Sequence, residues 1–245
     1  MIVLLLTIPV GILLGLLINT LCDSLPITRR VDRPVCPSCN HPMGWSAYLT
    51  FSRCSECGKS VSLRRYIVLL LFPVIVSLIA LFPPERFSIV MGVLLAVYSF
   101  VIFIIDVEYR AILLPTVYAG ALLFLVLGIQ LHGIWMTLLG GTAGFLIMLA
   151  LHYGGHVFAQ WLARRRGETL DEPALGFGDV NLSGVLGLGL GWPGIAAGLI
   201  IAIFLGGLIS FVYLVVAKLS NRFKTFQAIP YAPFLVIAAM YLLFR

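Results

Sequence analysis

The chain has 245 residues, of which 61% are hydrophobic and 11% charged, with a formal net charge of +6. A soluble domain carries about 25% charged residues, and the apolar runs here are too long and continuous for a globular core. The positive balance would suggest nucleic acid in a soluble protein; here its distribution reads as membrane topology, and no nucleic-acid partner is expected.

Backbone groups in lipid must be paired internally, which leaves helices or a closed barrel. Strict apolar–polar alternation is absent, so the pattern predicts an all-α polytopic membrane protein, in contact with membrane lipid, with about eight transmembrane helices. A span needs about 20 apolar residues. In chain order the candidates are Ile2–Leu21, Tyr66–Phe82, Ser88–Ile105, Leu113–Leu131, Ile134–Trp161, Leu182–Leu190, Ile195–Ala217 and Ala228–Phe244. Met1 leads straight into the first with no basic region, so it reads as a retained anchor rather than a signal peptide. The fifth is long; the sixth is short, Gly-rich and either broken or continuous with its neighbour across Trp192-Pro193-Gly194. The polar loop Asp23–Arg65 is the part large enough to fold outside the membrane. The expected organisation is therefore a first helix over 1–22, a loop module over 23–65 and membrane-embedded helices over 66–245. With eight crossings, fourteen of the sixteen lysines and arginines fall on one side, including Arg29, Arg64, Arg65, Arg110, Arg164, Lys218, Arg222 and Lys224. Basic residues mark the cytoplasmic face, so the loop is expected there and both termini opposite.

Within the loop, Cys36-Pro-Ser-Cys39 and Cys54-Ser-Glu-Cys57 stand fourteen residues apart. Two such pairs can build a tetrahedral thiolate cage for zinc. In a reducing cytoplasm disulfides are disfavoured, and a loop this small needs the metal's binding free energy to fold. The expectation is a structural zinc site on Cys36, Cys39, Cys54 and Cys57, with Cys22 a filler at the membrane edge.

Ten acidic residues exist in the chain, and Asp23, Asp32, Glu56, Glu85, Glu168, Asp171 and Glu172 are placed in loops. Asp106 and Asp179 differ. Asp106 closes the apolar run Tyr98–Ile105, and Asp179 sits in Leu175-Gly-Phe-Gly-Asp-Val-Asn-Leu182. Acids at membrane depth are costly and usually functional. Two of them packed together cannot both ionise, which gives an acid and a base able to activate water as aspartic proteases do. Gly176 and Gly178 are expected to supply backbone freedom around Asp179. The plainer alternatives are an interfacial role for Asp106 and an N-cap role for Asp179. His152 and His156, one helical turn apart, lack an acidic third ligand and read as packing or interfacial residues.

At these residues the sequence resembles the type 4 prepilin peptidase family of GxGD aspartyl proteases. Gly176-Phe-Gly-Asp179-Val-Asn-Leu is similar to the family's GxGDxKL motif, and Ile105-Asp106-Val-Glu-Tyr-Arg110 to its first aspartate motif. Gly15–Asn19 through Leu25-Pro26, the two cysteine pairs followed by Arg65-Tyr66, and Ile229-Pro-Tyr-Ala-Pro233-Phe-Leu match further family stretches in order. The resemblance implies an eight-helix inner-membrane protease with Asp106 and Asp179 as its dyad. It implies removal of the basic leader of prepilins or pseudopilins at the cytoplasmic face. In many members it also implies N-methylation of the new terminus with S-adenosylmethionine. Ser24 and Asn181 replace a family arginine and lysine, the stretch between the cysteine pairs is shorter, and Ile67–Leu70 lacks the family's glutamate; these departures bear on methylation more than proteolysis. Competing classes are a proton-coupled transporter, which predicts an inverted repeat, and a non-catalytic assembly factor docking through the zinc loop. Substrate identity and oligomeric state are not encoded in any of these features.

Overall fold

The computed structural model describes residues 2–29, 33–36, 38–60, 62–166, 176–219 and 230–245. Among them are eight helices and no strand: α1 Ile2–Thr28, α2 Trp45–Leu49, α3 Leu63–Leu81, α4 Ile89–Tyr109, α5 Leu114–Arg166, α6 Phe177–Leu190, α7 Gly194–Leu219 and α8 Ala232–Phe244. Five of these, α1, α3, α4, α5 and α7, are long and apolar enough to cross a bilayer; α6 and α8 are shorter apolar helices. Residues 164, 166, 222 and 224 of the charge pattern, Leu175, Ala228 and Ile229, and the acids Asp32, Glu168, Asp171 and Glu172 lie outside the residues described in full.

The all-helical expectation holds, and several boundaries move. The 53 residues of α5 would extend roughly 80 Å as one rod at 1.5 Å per residue, far beyond a hydrocarbon core of about 30 Å. Gly133 breaks it, with φ 75° and ψ 167°. A Cβ on Gly128 would touch the Thr137 side chain at 2.8 Å. Residues nine apart in a straight helix are about 13 Å apart along the axis, so the chain folds back at Gly133 and α5 is two limbs, 114–132 and 134–166. That agrees with the fourth and fifth expected segments.

The chain divides into two compact units, Met1–Ile105 and Asp106–Arg245. In the first, α1 and α3 pack closely. Gly11 lies against the Pro73 backbone, Gly15 against Leu69 and the Val68 carbonyl, and Thr7 and Ser77 hydroxyls meet at 2.8 Å. Small residues permit such approach in lipid. Phe72 of α3 meets Phe100 of α4 edge to face at 5.3 Å. The expected end of the first helix at Leu21 is too early. Thr20, Ser24 and Thr28 each donate a hydroxyl to the carbonyl four residues back, so the polar tail continues as helix. It closes with the Arg29 N–H on the Leu25 carbonyl at 3.0 Å, Arg29 being left-handed at φ 55°.

In the second unit α6 is wedged between both limbs of α5. Gly189 lies against the Phe124 ring and Gly128 against the Leu188 carbonyl; Gly140 and Gly187 face one another backbone to backbone. Ser183 donates to the Gly144 carbonyl at 3.0 Å. Gly191, at φ 64°, ends α6, and its N–H bonds the Gly187 carbonyl at 2.9 Å.

Candidate functional site

Two constellations emerge, one in each unit. In the first, the segments around the cysteine pairs repeat one local geometry. The Cys36 carbonyl accepts from Asn40 N–H at 2.8 Å, and the Cys54 carbonyl accepts from Gly58 N–H at 2.9 Å. Each first cysteine donates its own N–H five residues on, Cys36 to His41 and Cys54 to Lys59. Asn40 at φ 58° and Gly58 at φ 65° complete the two matching turns, at positions where Asn and Gly tolerate the left-handed region. The four sulfurs lie within 4.8 Å of one another, with Cys36–Cys57 at 3.7 Å and Cys39–Cys54 at 3.6 Å. A tetrahedron with metal–sulfur bonds of about 2.3 Å has edges of about 3.8 Å, whereas a disulfide is about 2.05 Å. All four thiols are free, and the set fits a metal ion. Backbone N–H groups of Cys57 and Glu56 lower the Cys54 thiol to about 6, toward the thiolate that a metal requires. Met43 and Tyr48 pack with Cys36 and Cys54 into a small core.

Asp23, expected in a loop, is instead fully buried within α1. Its Oδ2 accepts from the Tyr48 hydroxyl at 2.7 Å and from Arg65 Nε and Nη2 at 3.1 and 2.8 Å, and its Oδ1 takes Arg64. The Arg65 guanidinium also stands 4.0 Å above the Tyr48 ring. Burial, and then the Asp23 charge, push the Tyr48 hydroxyl well above its ordinary range. This network ties the cysteine lobe to the ends of α1 and α3. Its only hint in the sequence is an acid at the end of an apolar run with Arg64-Arg65 opening the next.

In the second unit, Asp106 lies in the last turn of α4 and is 5% exposed; Asp179 lies in the first turn of α6 and is 8% exposed. Arg110, left-handed at φ 51°, closes α4 by donating its N–H to the Asp106 carbonyl at 2.8 Å. The Asp106 Oδ2 accepts the Ala232 N–H at 3.2 Å, the first amide of α8, which suits an anion at a helix N-terminus. Asp179 is not the N-cap: Gly176 is, and Asp179 sits three residues in, its N–H on the Gly176 carbonyl at 3.1 Å. The expected start of this helix at Leu182 moves back to Phe177. Nor do its glycines supply unusual dihedrals, since Gly176 has φ −72°. They supply room: a Cβ on Gly178 would stand 2.9 Å from Ile112 Cβ, and one on Gly176 would stand 3.4 Å from the Asp179 carboxylate. The charge of Asp106 acts on Asp179 and that of Asp179 on Tyr231. Arg110 exerts its charge on Asp106. Sequence reading found both acids and missed the Ala232 amide, whose donor belongs to the backbone and leaves no residue signature. His152 packs against the Tyr153 and Phe177 rings, and His156 meets Gln160.

The fold and site define a multi-pass membrane protein with a buried acid pair at the ends of two helices and a separate four-thiol centre. Residues 93–211, which include both acids, match the type IV leader peptidase family. The match spans just under half of the chain, and over that stretch the chain is similar to this family of peptidases. It is 25% identical over 227 residues to the prepilin leader peptidase/N-methyltransferase of Aeromonas hydrophila, covering 88% of this chain and 72% of the relative. The same identity extends over 219 residues to the protein of that name from Aeromonas salmonicida strain A449, covering 85% and 69%. No solved structure gives a significant match. The apolar helices make this a multi-pass membrane protein.

Proposed function

We propose that this protein is a membrane aspartyl endopeptidase that removes the basic leader of prepilins or pseudopilins at the cytoplasmic face. The observation that carries the reading is the burial of Asp106 and Asp179, 73 residues apart in sequence, within each other's field. Two carboxyl groups so placed share one proton. Asp106, already an acceptor for the Ala232 amide, takes the proton of the attacking water. Asp179 gives its proton to the carbonyl oxygen of the scissile peptide; as the C–N bond breaks, Asp106 passes the proton it took from water to the leaving amine and a hydroxyl of the gem-diol returns a proton to Asp179, the division of labour of general acid–base catalysis. Gly178 keeps the α6 start close against Ile112 and so fixes where Asp179 stands.

The reading assigns the zinc-binding segment between α1 and α3 to the cytoplasm and both termini to the outer side, following the basic residues. Zinc on Cys36, Cys39, Cys54 and Cys57 has all four positions taken by sulfur, so its role is to hold the lobe together. N-methylation is the second activity in the relatives' name. Methyl transfer would draw its chemistry from S-adenosylmethionine, and no residue here is assigned to holding that group. Incubation of the purified protein with a prepilin, followed by mass spectrometry of the product N-terminus, reads cleavage and methylation together. Cleavage at the leader junction supports the proposal; an intact substrate with folded protein overturns it.

A further inference from the structure

The lobe around the four cysteines buries only a handful of side chains, yet it carries large apolar groups on its outside. On α2, Tyr48 turns inward at 1% exposure, while Trp45 and Leu49 are 51% and 48% exposed. Residues four apart share one helix face, so these two side chains form a single apolar patch. Its position relative to the helices is fixed by two ties. Tyr48 bonds Asp23 near the end of α1 and lies under Arg65 in the first turn of α3. Phe51, two residues beyond α2, stacks on Tyr66 of α3 with ring centroids at 5.3 Å and planes 21° apart. These ties hold α2 beside the first turn of α3, where the apolar span Leu63–Leu81 begins. From that turn Leu63, Ile67 and Leu70 are exposed and continue as a lipid-facing wall. Arg53 and Lys59, both exposed, outnumber the exposed Glu56 between them, so this part of the lobe is net positive.

We propose that this face is a docking surface for the anionic bilayer surface, with Trp45 and Leu49 in the headgroup layer and Arg53 and Lys59 toward lipid phosphates. Tryptophan is favoured at that depth because its ring is apolar and its N–H polar, and basic residues beside a shallow apolar face strengthen binding to anionic lipid. The lobe is then held at three sides, by α1, by α3 and by the membrane. The inference rests on the membrane reading and on no part of the peptidase reading.

The test places the full-length chain in nanodiscs, with Trp135→Phe, Trp161→Phe and Trp192→Phe leaving Trp45 as the only emitter of the four tryptophans. Lipids brominated near the headgroup end of the acyl chain should quench Trp45 roughly twofold or more, while aqueous acrylamide should quench it weakly. Quenching by bromolipid should weaken when phosphatidylglycerol is replaced by phosphatidylcholine. Strong acrylamide quenching with no bromolipid effect overturns the proposal, as does shielding from both, which would mean that protein covers the patch. Equal bromolipid quenching in the two lipids overturns the anionic preference. If the triple variant fails to fold, the difference between the unsubstituted chain and Trp45→Phe gives the same readout.

Discussion

The contact between α5 and α6 decides where Asp179 stands, and one added methyl group should reveal it. A Cβ at Gly187 would press on the Gly140 carbonyl oxygen and lie 2.9 Å from that carbonyl carbon and 3.2 Å from Gly141 Cα. All three are backbone atoms with no rotamer to escape into. Relief requires α6 to move away from α5 by about 1 Å, given ordinary carbon–oxygen contacts of about 3.3–3.6 Å. Overpacking of that kind costs about 1–3 kcal/mol, and a displacement of about 1 Å at a catalytic group costs on the order of 100-fold in rate. Gly187→Ala should therefore lower kcat/KM for a prepilin substrate by on the order of 100-fold while the protein stays folded. Gly154, in the same α5 limb, faces open space. Gly154→Ala should leave activity unchanged and raise helix stability by up to about 1 kcal/mol. The assay is cleavage kinetics in detergent with thermal unfolding alongside. Wild-type kinetics for Gly187→Ala, or equal damage from Gly154→Ala, would refute the packing argument.

Three further outcomes follow from the first unit and from the end of α4. Asp23→Asn leaves two guanidinium groups beside a neutral amide and should cost about 3–5 kcal/mol, whereas Tyr48→Phe removes one charge-assisted hydrogen bond and should cost about 1.5–3 kcal/mol; denaturation curves in detergent showing the reverse order would contradict the network. Cys54→Ser should abolish stoichiometric metal by elemental analysis. Because Cys54 is lowered to about 6 from an ordinary 9.0, the thiolate's contribution is complete above 9 and declines as pH falls through about 6, so metal release to a chelator should accelerate below that value; release independent of pH would argue against thiolate ligation. Arg110→Gly should relieve a left-handed residue by roughly 1 kcal/mol and yet slow cleavage, since it removes the charge beside Asp106; a variant both more stable and equally active would show that Arg110 serves only to end α4.

How far the fold was legible depended on periodicity and composition. The apolar segments, the gap between the fourth and fifth of them and the two cysteine pairs are properties of residue type, and the structure has helices, a break and a sulfur cluster at those stretches. Helix ends were less legible. The first helix runs on through Asp23 and Ser24 because Ser and Thr hydroxyls bond back to its own carbonyls and Asp23 finds buried partners from α2 and α3. A sequence shows Asp23 as polar and cannot show that Arg65 will meet it. The sixth helix begins five residues early because Gly176 caps it without a side chain, a signal weaker than serine or aspartate would give. Both acids of the candidate site stand out as isolated carboxylates in apolar surroundings. The Ala232 amide that engages one of them does not stand out, since hydrogen-bond donors of the backbone are the same at every residue but proline.

The most direct test of the dyad is leader cleavage by Asp106→Asn and Asp179→Asn proteins reconstituted with a prepilin, scored by mass spectrometry against the unsubstituted chain. Either substitution keeps the side-chain shape and removes a proton acceptor or donor. The expected result is folded protein, metal still bound at the cysteine lobe and no detectable processed product from either variant. Full-rate cleavage by either one would contradict the assignment of Asp106 and Asp179 as the catalytic pair.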